Sequence, residues 1–235
     1  SAAVGMRELA AAQQRVCLQT GLAPLPAPLW VRVLTHPSYA APAALNNAVL
    51  EFLGDAVVGE VVARRLPAAL PDVEWATLQL LSFHLVSNHN LAQVGVALCL
   101  QPLLRWVPQN PPKPEDTAER HLGSAVEALV GAHYQQHGLE AADRFVDRFV
   151  IAPVRTMDVG SIKALTLAAM PWRGLQKLCT LHGIEGVEAG CEGPNSDGNY
   201  VATISFDGKV LSSGVGAVES IALNQAAKPL VQQFL

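Results

Sequence analysis

The chain has 235 residues, of which 50% are hydrophobic and 15% charged, a composition typical of a globular protein with one large domain or two small ones. Its net charge of −4 argues against a protein that binds nucleic acid chiefly through bulk positive charge. No apolar run is long enough to span a bilayer, so we expect no membrane segment. The 4 cysteines are scattered without Cys-x-x-Cys spacing, which predicts free thiols and no zinc site.

The first part of the chain predicts three helices. Met6–Thr20 is expected to form a helix that ends at Gly21, and Leu29–Tyr39 a second one that Pro37 stops. Apolar residues at helical spacing from Asn47 to Glu60 predict a third, largely buried helix, followed by a break at Leu66-Pro67.

The third helix carries both acids and valines. Glu51 and Asp55 stand four residues apart, so their carboxylates share one face. Acids on such an apolar helix are costly unless they are paired, hydrated or bound to a cation. Four valines extend the apolar surface: Val57, Val58, Val61 and Val62. We expect this surface to exceed what one small domain covers, which predicts pairing with a second domain or protein.

The middle of the chain continues as helices. Further helices are predicted over Asp72–Val86, His121–His137 and Leu139–Val150, with an exposed proline-rich loop at Gln109–Asp116. Met157–Met170 is expected to be a linker that is partly helical.

The last 65 residues change character. A helix begins at Pro171, which suits a first helical turn, and a closing helix is predicted from Val218 to Leu235. Between them, alternating patterns predict three strands, at Val187–Cys191, Tyr200–Phe206 and Lys209–Gly214. Asp207-Gly208 predicts a tight hairpin turn between the last two strands.

Four strings resemble the ribonuclease III family. Leu50–Val57 (LEFLGDAV) is similar to the family's signature helix, and further family-like strings are Leu34–Tyr39, Leu85–Ala92 and Ser124–Ala132. The α-β-β-β-α order of the last 65 residues resembles a double-stranded-RNA-binding domain. The resemblance implies an α+β multidomain protein, with an all-α ribonuclease III-like domain at 1–156, a linker at 157–170 and a double-stranded-RNA-binding-like domain at 171–235.

The same resemblance implies a cleavage site in which four clustered acids, aided by a further glutamate, hold divalent metal ions. Glu51, Asp55 and Glu127 match three of the four acids, whereas Ser124 stands at the fourth position and Ala48 at that of the further glutamate. A serine hydroxyl is a neutral and weak magnesium ligand. We therefore expect the three acids to be vestigial, with no catalytic residue, no bound metal and no cofactor.

The RNA-binding positions are also changed. Where the family places two lysines at the start of the last helix, this chain has Glu219 and Ser220, and residues 171–235 carry 4 basic and 6 acidic side chains. We expect weak binding of duplex RNA through the contacts that remain, which are Arg173, Gln176, Lys177, Asn195, Ser196, Asn199 and Ser220.

The most favoured function is that of a structural component of a large ribonucleoprotein. The resemblance extends to a catalytically degenerate ribonuclease III-like protein of the mitochondrial large ribosomal subunit, which implies a mitochondrial location. Its expected partners are ribosomal RNA, other mitochondrial ribosomal proteins and a second ribonuclease III-like domain. Two alternatives stay open: an endonuclease that a partner subunit completes, and an accessory factor of RNA processing or editing. The sequence does not distinguish the mitochondrion from another organelle.

Overall fold

The structure is a computed structural model and describes residues 5–108 and 117–234. The predicted loop at Gln109–Asp116 lies outside the described residues. By its internal contacts the chain divides into two compact units, the first made of Ser1–Pro71 with Leu85–Thr156, and the second of Asp72–His84 with Met157–Leu235. No helix in the described ranges combines the length and the apolarity that crossing a membrane requires.

The first unit is helical. Its α-helices are α1 (Met6–Thr20), α2 (Ala27–Val33), α3 (Ala48–Ala69), α5 (Asn88–Ala97), α6 (Ala118–His137), α7 (Leu139–Val146) and α8 (Ala152–Arg155). A short 3-10 helix at Gln101–Leu103 and a π-helical turn at Asp147–Ile151 complete it. The predicted helix at Leu139–Val150 is thus divided between α7 and the π-helical turn.

The predicted ends of the second and third helices are wrong. Helix α2 ends at Val33 because Thr35, two residues later, makes other contacts. Thr35 pairs with Arg105 in an isolated β-bridge, and the Thr35 carbonyl accepts a hydrogen bond from the Asn47 amide at 2.8 Å. Helix α3 does not break at Pro67 but continues to Ala69. A proline removes one backbone donor, and here it does so in the last turn, where little of the helix remains to be disturbed.

Helix α3 packs along α6 and forms the centre of this unit. The four valines that were expected to form a contact surface for a second domain or protein are buried within the chain. Val57 is 7% exposed, and Val58, Val61 and Val62 are 1% exposed or less. They therefore supply no free apolar surface, and that reason for pairing is wrong. The exposed apolar side chains of α3 are Val49 and Phe52, at 56% and 80% exposure.

An ion-pair network ties the end of α3 to α7. Arg64 and Arg65 both donate to the carboxylate of Asp143, with 2.9 Å between Arg65 Nε and Asp143 Oδ1. The two guanidinium groups lower the pKa of Asp143, Arg65 contributing most. A carboxylate that is 7% exposed is thereby stabilised in its charged form.

The second unit contains helices and one sheet. Its elements are α4 (Trp75–Leu85), α9 (Val159–Ala169), α10 (Pro171–His182), β1 (Val187–Glu192), β2 (Tyr200–Phe206), β3 (Lys209–Gly216), α11 (Glu219–Val231) and a 3-10 turn at Gln232–Phe234. The expected α+β architecture is confirmed. The contacts assign Asp72–His84 to this unit although the sequence places it in the first domain, and the predicted linker forms helix α9 here.

The sheet is antiparallel in the order β1-β2-β3. Asp207 and Gly208 both adopt positive φ, at 49° and 77°, as the predicted tight turn requires. Ala202 and Ile204 of β2 face a core formed with α10 and α11. Helix α11 lies so close to β3 that a Cβ on Gly214 would come within 2.3 Å of the Ala226 amide nitrogen.

Candidate functional site

The first candidate site lies where α3 crosses α6, and two glycines set its geometry. A Cβ added to Gly54 would lie 1.8 Å from the Glu127 carbonyl oxygen, and one added to Gly131 would lie 2.2 Å from the Leu50 carbonyl oxygen. Only glycine permits backbones to approach this closely. The crossing therefore fixes the acids of α3 beside those of α6.

Three acids meet at this crossing. Glu51 and Asp55 from α3 and Glu127 from α6 line one open pocket, together with Phe52, Val86, Ser87 and Asn88. The sequence predicted that these acids belong together, and the structure brings all three to one place. We call the pocket that Glu51, Asp55 and Glu127 line the acidic pocket.

Ser124 is engaged with the acidic pocket from α6. Its hydroxyl donates a hydrogen bond to Glu51 Oε1 at 2.8 Å, and the residue is 4% exposed. A charge-assisted bond of this kind satisfies one carboxylate oxygen from inside the protein. The serine thus stabilises the Glu51 carboxylate by donating a hydrogen bond, whereas an aspartate at the same position would place another negative charge beside that of Glu51.

Glu127 is buried, at 7% exposure. Its burial, followed by the negative charges of Glu51 and Asp55, raises its pKa to about 8, against a smaller opposing influence from Arg120. Without a cation beside it, this side chain is mostly protonated at neutral pH, because desolvation and like charge both disfavour its carboxylate form. A divalent cation in the pocket would favour the carboxylate form instead.

The fit to a divalent metal can be tested on these residues. Within residues 5–108 and 117–234, no three His, Cys, Asp or Glu side chains are grouped so that they could hold a metal ion. The nearest other acid along α6, Glu119, is paired with His89 at 2.7 Å and does not line the pocket. As they are placed, Glu51, Asp55 and Glu127 line one pocket but do not form a group that could hold a metal ion in the way the family resemblance implies.

Sequence reasoning missed Asn88. Its Oδ1 atom is buried and has no hydrogen-bond partner in the described structure, and the residue lines the acidic pocket at the start of α5. The family-like string Leu85–Ala92 contains this residue, so the signal was present but was used only for the fold. The close approach of Gly123 to the Asn88 carbonyl oxygen, at 2.7 Å from a built Cβ, explains how α5 is held there.

The predicted RNA-binding residues fall into three places within the second unit. Arg173, Gln176 and Ser220 line one groove between the starts of α10 and α11, together with Trp172 and Asn224. We call this the α10–α11 groove. The Asn224 side chain accepts a hydrogen bond from the Trp172 amide at 3.0 Å, which joins the two helices at this point.

Lys177 and the loop residues lie outside that groove. The Lys177 ammonium donates to Gln79 Oε1 at 3.2 Å. Asn195, Ser196 and Asn199 belong to the β1–β2 loop, where the Asn195 side chain accepts from the amides of Asp197 and Asn199 at 3.0 and 2.9 Å. Asn195 therefore stabilises its own loop, and its carbonyl oxygen is already used.

These features define a class: a helical domain with converging acids, followed by a small unit whose α-β-β-β-α order is that of a double-stranded-RNA-binding-like domain. Residues 27–154 match the family model described as "Ribonuclease-III-like". The chain is 31% identical over 210 residues to Ribonuclease 3 of Streptomyces coelicolor, covering 85% of this chain and 72% of that protein. It is 32% identical over 201 residues to Ribonuclease 3 of Thiobacillus denitrificans, covering 84% of this chain and 85% of that protein.

A solved structure is similar as well. The nuclease domain of a ribonuclease III from Campylobacter jejuni superposes with a TM-score of 0.52 and 25% identity, covering 62% of this chain and 97% of that domain. The chain belongs to the ribonuclease III family.

Proposed function

We propose that this chain is a catalytically silent member of the ribonuclease III family that serves as a structural component of a large ribonucleoprotein. The observation that carries the proposal is the hydrogen bond from Ser124 to Glu51. At this position the family has an acid whose negative charge helps to bind metal, whereas here a serine hydroxyl donates a hydrogen bond to Glu51. The neutral hydroxyl leaves the acidic pocket with one carboxylate fewer than the family site, and so with less of the negative charge that binds metal ions.

The association with RNA is supported by the family and by the α10–α11 groove. Ribonuclease 3 is the name of the relatives that align over most of this chain. Arg173 and Gln176 are exposed on α10, and Ser220 lies in the first turn of α11, where backbone amides favour anions. We propose ribosomal RNA of the mitochondrial large subunit as the bound RNA, in keeping with the resemblance, and a mitochondrial location for the protein.

A protein partner is part of this proposal. Val49 and Phe52 are exposed on α3, the helix that carries the family signature. Apolar residues grouped on an exposed face mark a contact surface. We propose that they pack against a second ribonuclease III-like domain or a neighbouring ribosomal protein.

The cleavage test uses the purified full chain, long duplex RNA, and Mg²⁺ or Mn²⁺. We expect no products from the unmodified chain and none from a Glu127→Gln variant. Loss of one metal-positioning group costs several kcal/mol of transition-state stabilisation, and each 1.4 kcal/mol corresponds to about tenfold in rate. Metal-dependent products from the unmodified chain that disappear in the variant would contradict the proposal.

The second candidate is an endonuclease that a partner chain completes. It is favoured by one observation: Glu51, Asp55 and Glu127 still line a single pocket. The mass of the native complex separates it from the structural role and from an accessory processing factor. A ribosome-sized particle is expected for the structural role, a dimer for the endonuclease and an intermediate assembly for the processing factor.

A further inference from the structure

Helix α4 presents one regular stripe of side chains to α10. Trp75, Gln79 and Phe83 are spaced four residues apart, so they lie on one face over successive turns. Arg173 and Lys177 of α10 are also four residues apart. The two stripes face each other within the second unit.

Each cation of α10 has its partner on α4. The Arg173 guanidinium carbon lies 4.3 Å from the centre of the Phe83 ring. The Lys177 ammonium lies 5.3 Å from the centre of the Trp75 ring and 3.2 Å from Gln79 Oε1. These contacts hold both cations against α4 and use one N–H donor of Lys177, because aromatic rings attract cations through their quadrupoles.

The stripe on α4 carries no charge. A neutral amide and two aromatic rings carry no net negative charge, so a phosphate attracts the same cations more strongly through direct charge–charge attraction. RNA phosphates can therefore replace the α4 contacts once a duplex is present.

The packing of α4 also favours its replacement. A cleft of about 270 Å³ separates the α4 side chains Ala76 and Leu80 from Leu167 and Leu178 of the helices opposite. Well-packed interiors have few voids larger than a water molecule. The α4 stripe lies outside the core formed by α10, α11 and the sheet, so releasing Arg173 and Lys177 from it leaves that core intact.

We infer that helix α4 competes, within the same chain, with duplex RNA for Arg173 and Lys177 of helix α10. The inference rests on the proposed RNA binding and adds its regulation: the Trp75/Gln79/Phe83 stripe is an intramolecular mask that RNA must displace. Binding is therefore weak in the closed form and strengthened when the mask is removed.

The test measures binding of the full chain to a duplex RNA of about 16–20 base pairs, the span that such domains cover, by fluorescence anisotropy at about 0.15 M salt. Trp75→Ala combined with Phe83→Ala removes both rings and is expected to tighten binding about five- to thirtyfold, because two cations are released. Gln79→Ala alone is the milder variant and is expected to tighten it about two- to fivefold. The matched control is Ser82→Ala, whose hydroxyl bonds to the Gln79 carbonyl of its own helix and touches no α10 cation, so its affinity should match the parent's.

Two further measurements test whether the tighter RNA binding comes from the release of Arg173 and Lys177. Adding Arg173→Ala and Lys177→Ala to the double variant should erase it. In the unmodified chain, RNA should speed hydrogen exchange of the α4 amides and slow that of the α10 amides. This measurement does not depend on the folding of any variant.

Equal affinity of the parent and the unmasked variants, or protection of α4 by RNA, would overturn the mask. If RNA binds to parent and variants with equal measurable affinity, the mask alone fails and the proposed RNA binding stands. If no variant binds RNA at all, both fail.

Discussion

Two helix contacts in this protein are built in opposite ways. Helices α3 and α6 meet backbone to backbone at Gly54 and Gly131, where a single added methyl group would overlap a carbonyl oxygen. Helices α4 and α10 meet through long side chains, beside a cleft of about 270 Å³. The first contact keeps the acidic pocket in place whether or not it is used for chemistry. The proposed mask requires that the second contact open without unfolding its unit.

The largest expected effect breaks the first contact. Gly54→Ala places a Cβ 1.8 Å from the Glu127 carbonyl oxygen, so α3 and α6 must separate. We expect a loss of at least about 3 kcal/mol in the free energy of unfolding, measured by urea denaturation followed by circular dichroism. The matched control is Gly59→Ala on the same helix, where a Cβ meets nothing within 4 Å and a gain of about 0.5–1 kcal/mol is expected. Equal effects of the two substitutions would show that the crossing is not tight.

The next effect tests the electrostatics of the same crossing. Between pH 4.5 and about 8 the folded chain holds a proton on Glu127 that the unfolded chain has lost, so the parent loses stability as pH rises through this window. Glu127→Gln cannot ionise. It should match the parent near pH 4 and exceed it by about 2–4 kcal/mol above pH 8. Glu119→Gln, at an exposed acid paired with His89, is the control and should show little pH-dependent difference. A constant difference across pH would contradict the raised pKa.

The end of α3 gives a smaller effect of opposite sign. The lowered pKa of Asp143 means that its contribution to stability is present above the unfolded pKa of about 4 and is lost as pH falls through its folded value. Asp143→Asn should therefore cost about 1–2 kcal/mol at pH 7 and progressively less below pH 4. Glu140→Gln, which removes a solvent-exposed partner 3.8 Å from Arg144, should change almost nothing. Thermal melts over a pH series measure both variants.

The smallest effect on stability is expected at the second contact. Trp75 is 67% exposed, so Trp75→Ala should lower the free energy of unfolding by about 1 kcal/mol or less. Ile204→Ala, in the fully buried core of the same unit, should cost about 2–5 kcal/mol. A loss at Trp75 as large as that at Ile204 would mean that α4 is an integral part of the core and not a displaceable mask.

The sequence predicted features that depend on neighbours along the chain. The helical spacing around Glu51 and the Asp207-Gly208 turn were both read correctly, because local geometry determines them. The predictions from sequence failed where a segment distant along the chain determines burial or the end of a helix. The burial of Val57 and Val58 depends on α6, and the end of α2 depends on the pairing of Thr35 with Arg105.

The candidate site shows the same limit. The resemblance identified Glu51, Asp55, Ser124 and Glu127 by position, but the hydrogen bond between Ser124 and Glu51 joins residues 73 apart in the chain. The grouping of α4 with the second unit was likewise invisible, because its apolar spacing says that one face is buried but not against which neighbour.

The most direct test of the silent site is the binding of Mn²⁺ to the full chain by isothermal titration calorimetry. The account predicts no saturable binding to the unmodified chain below about 1 mM, and at least about tenfold tighter binding to Ser124→Asp, which restores a carboxylate in place of the donor to Glu51. Stoichiometric binding to the unmodified chain at micromolar concentration, lost in Glu51→Gln, would contradict it.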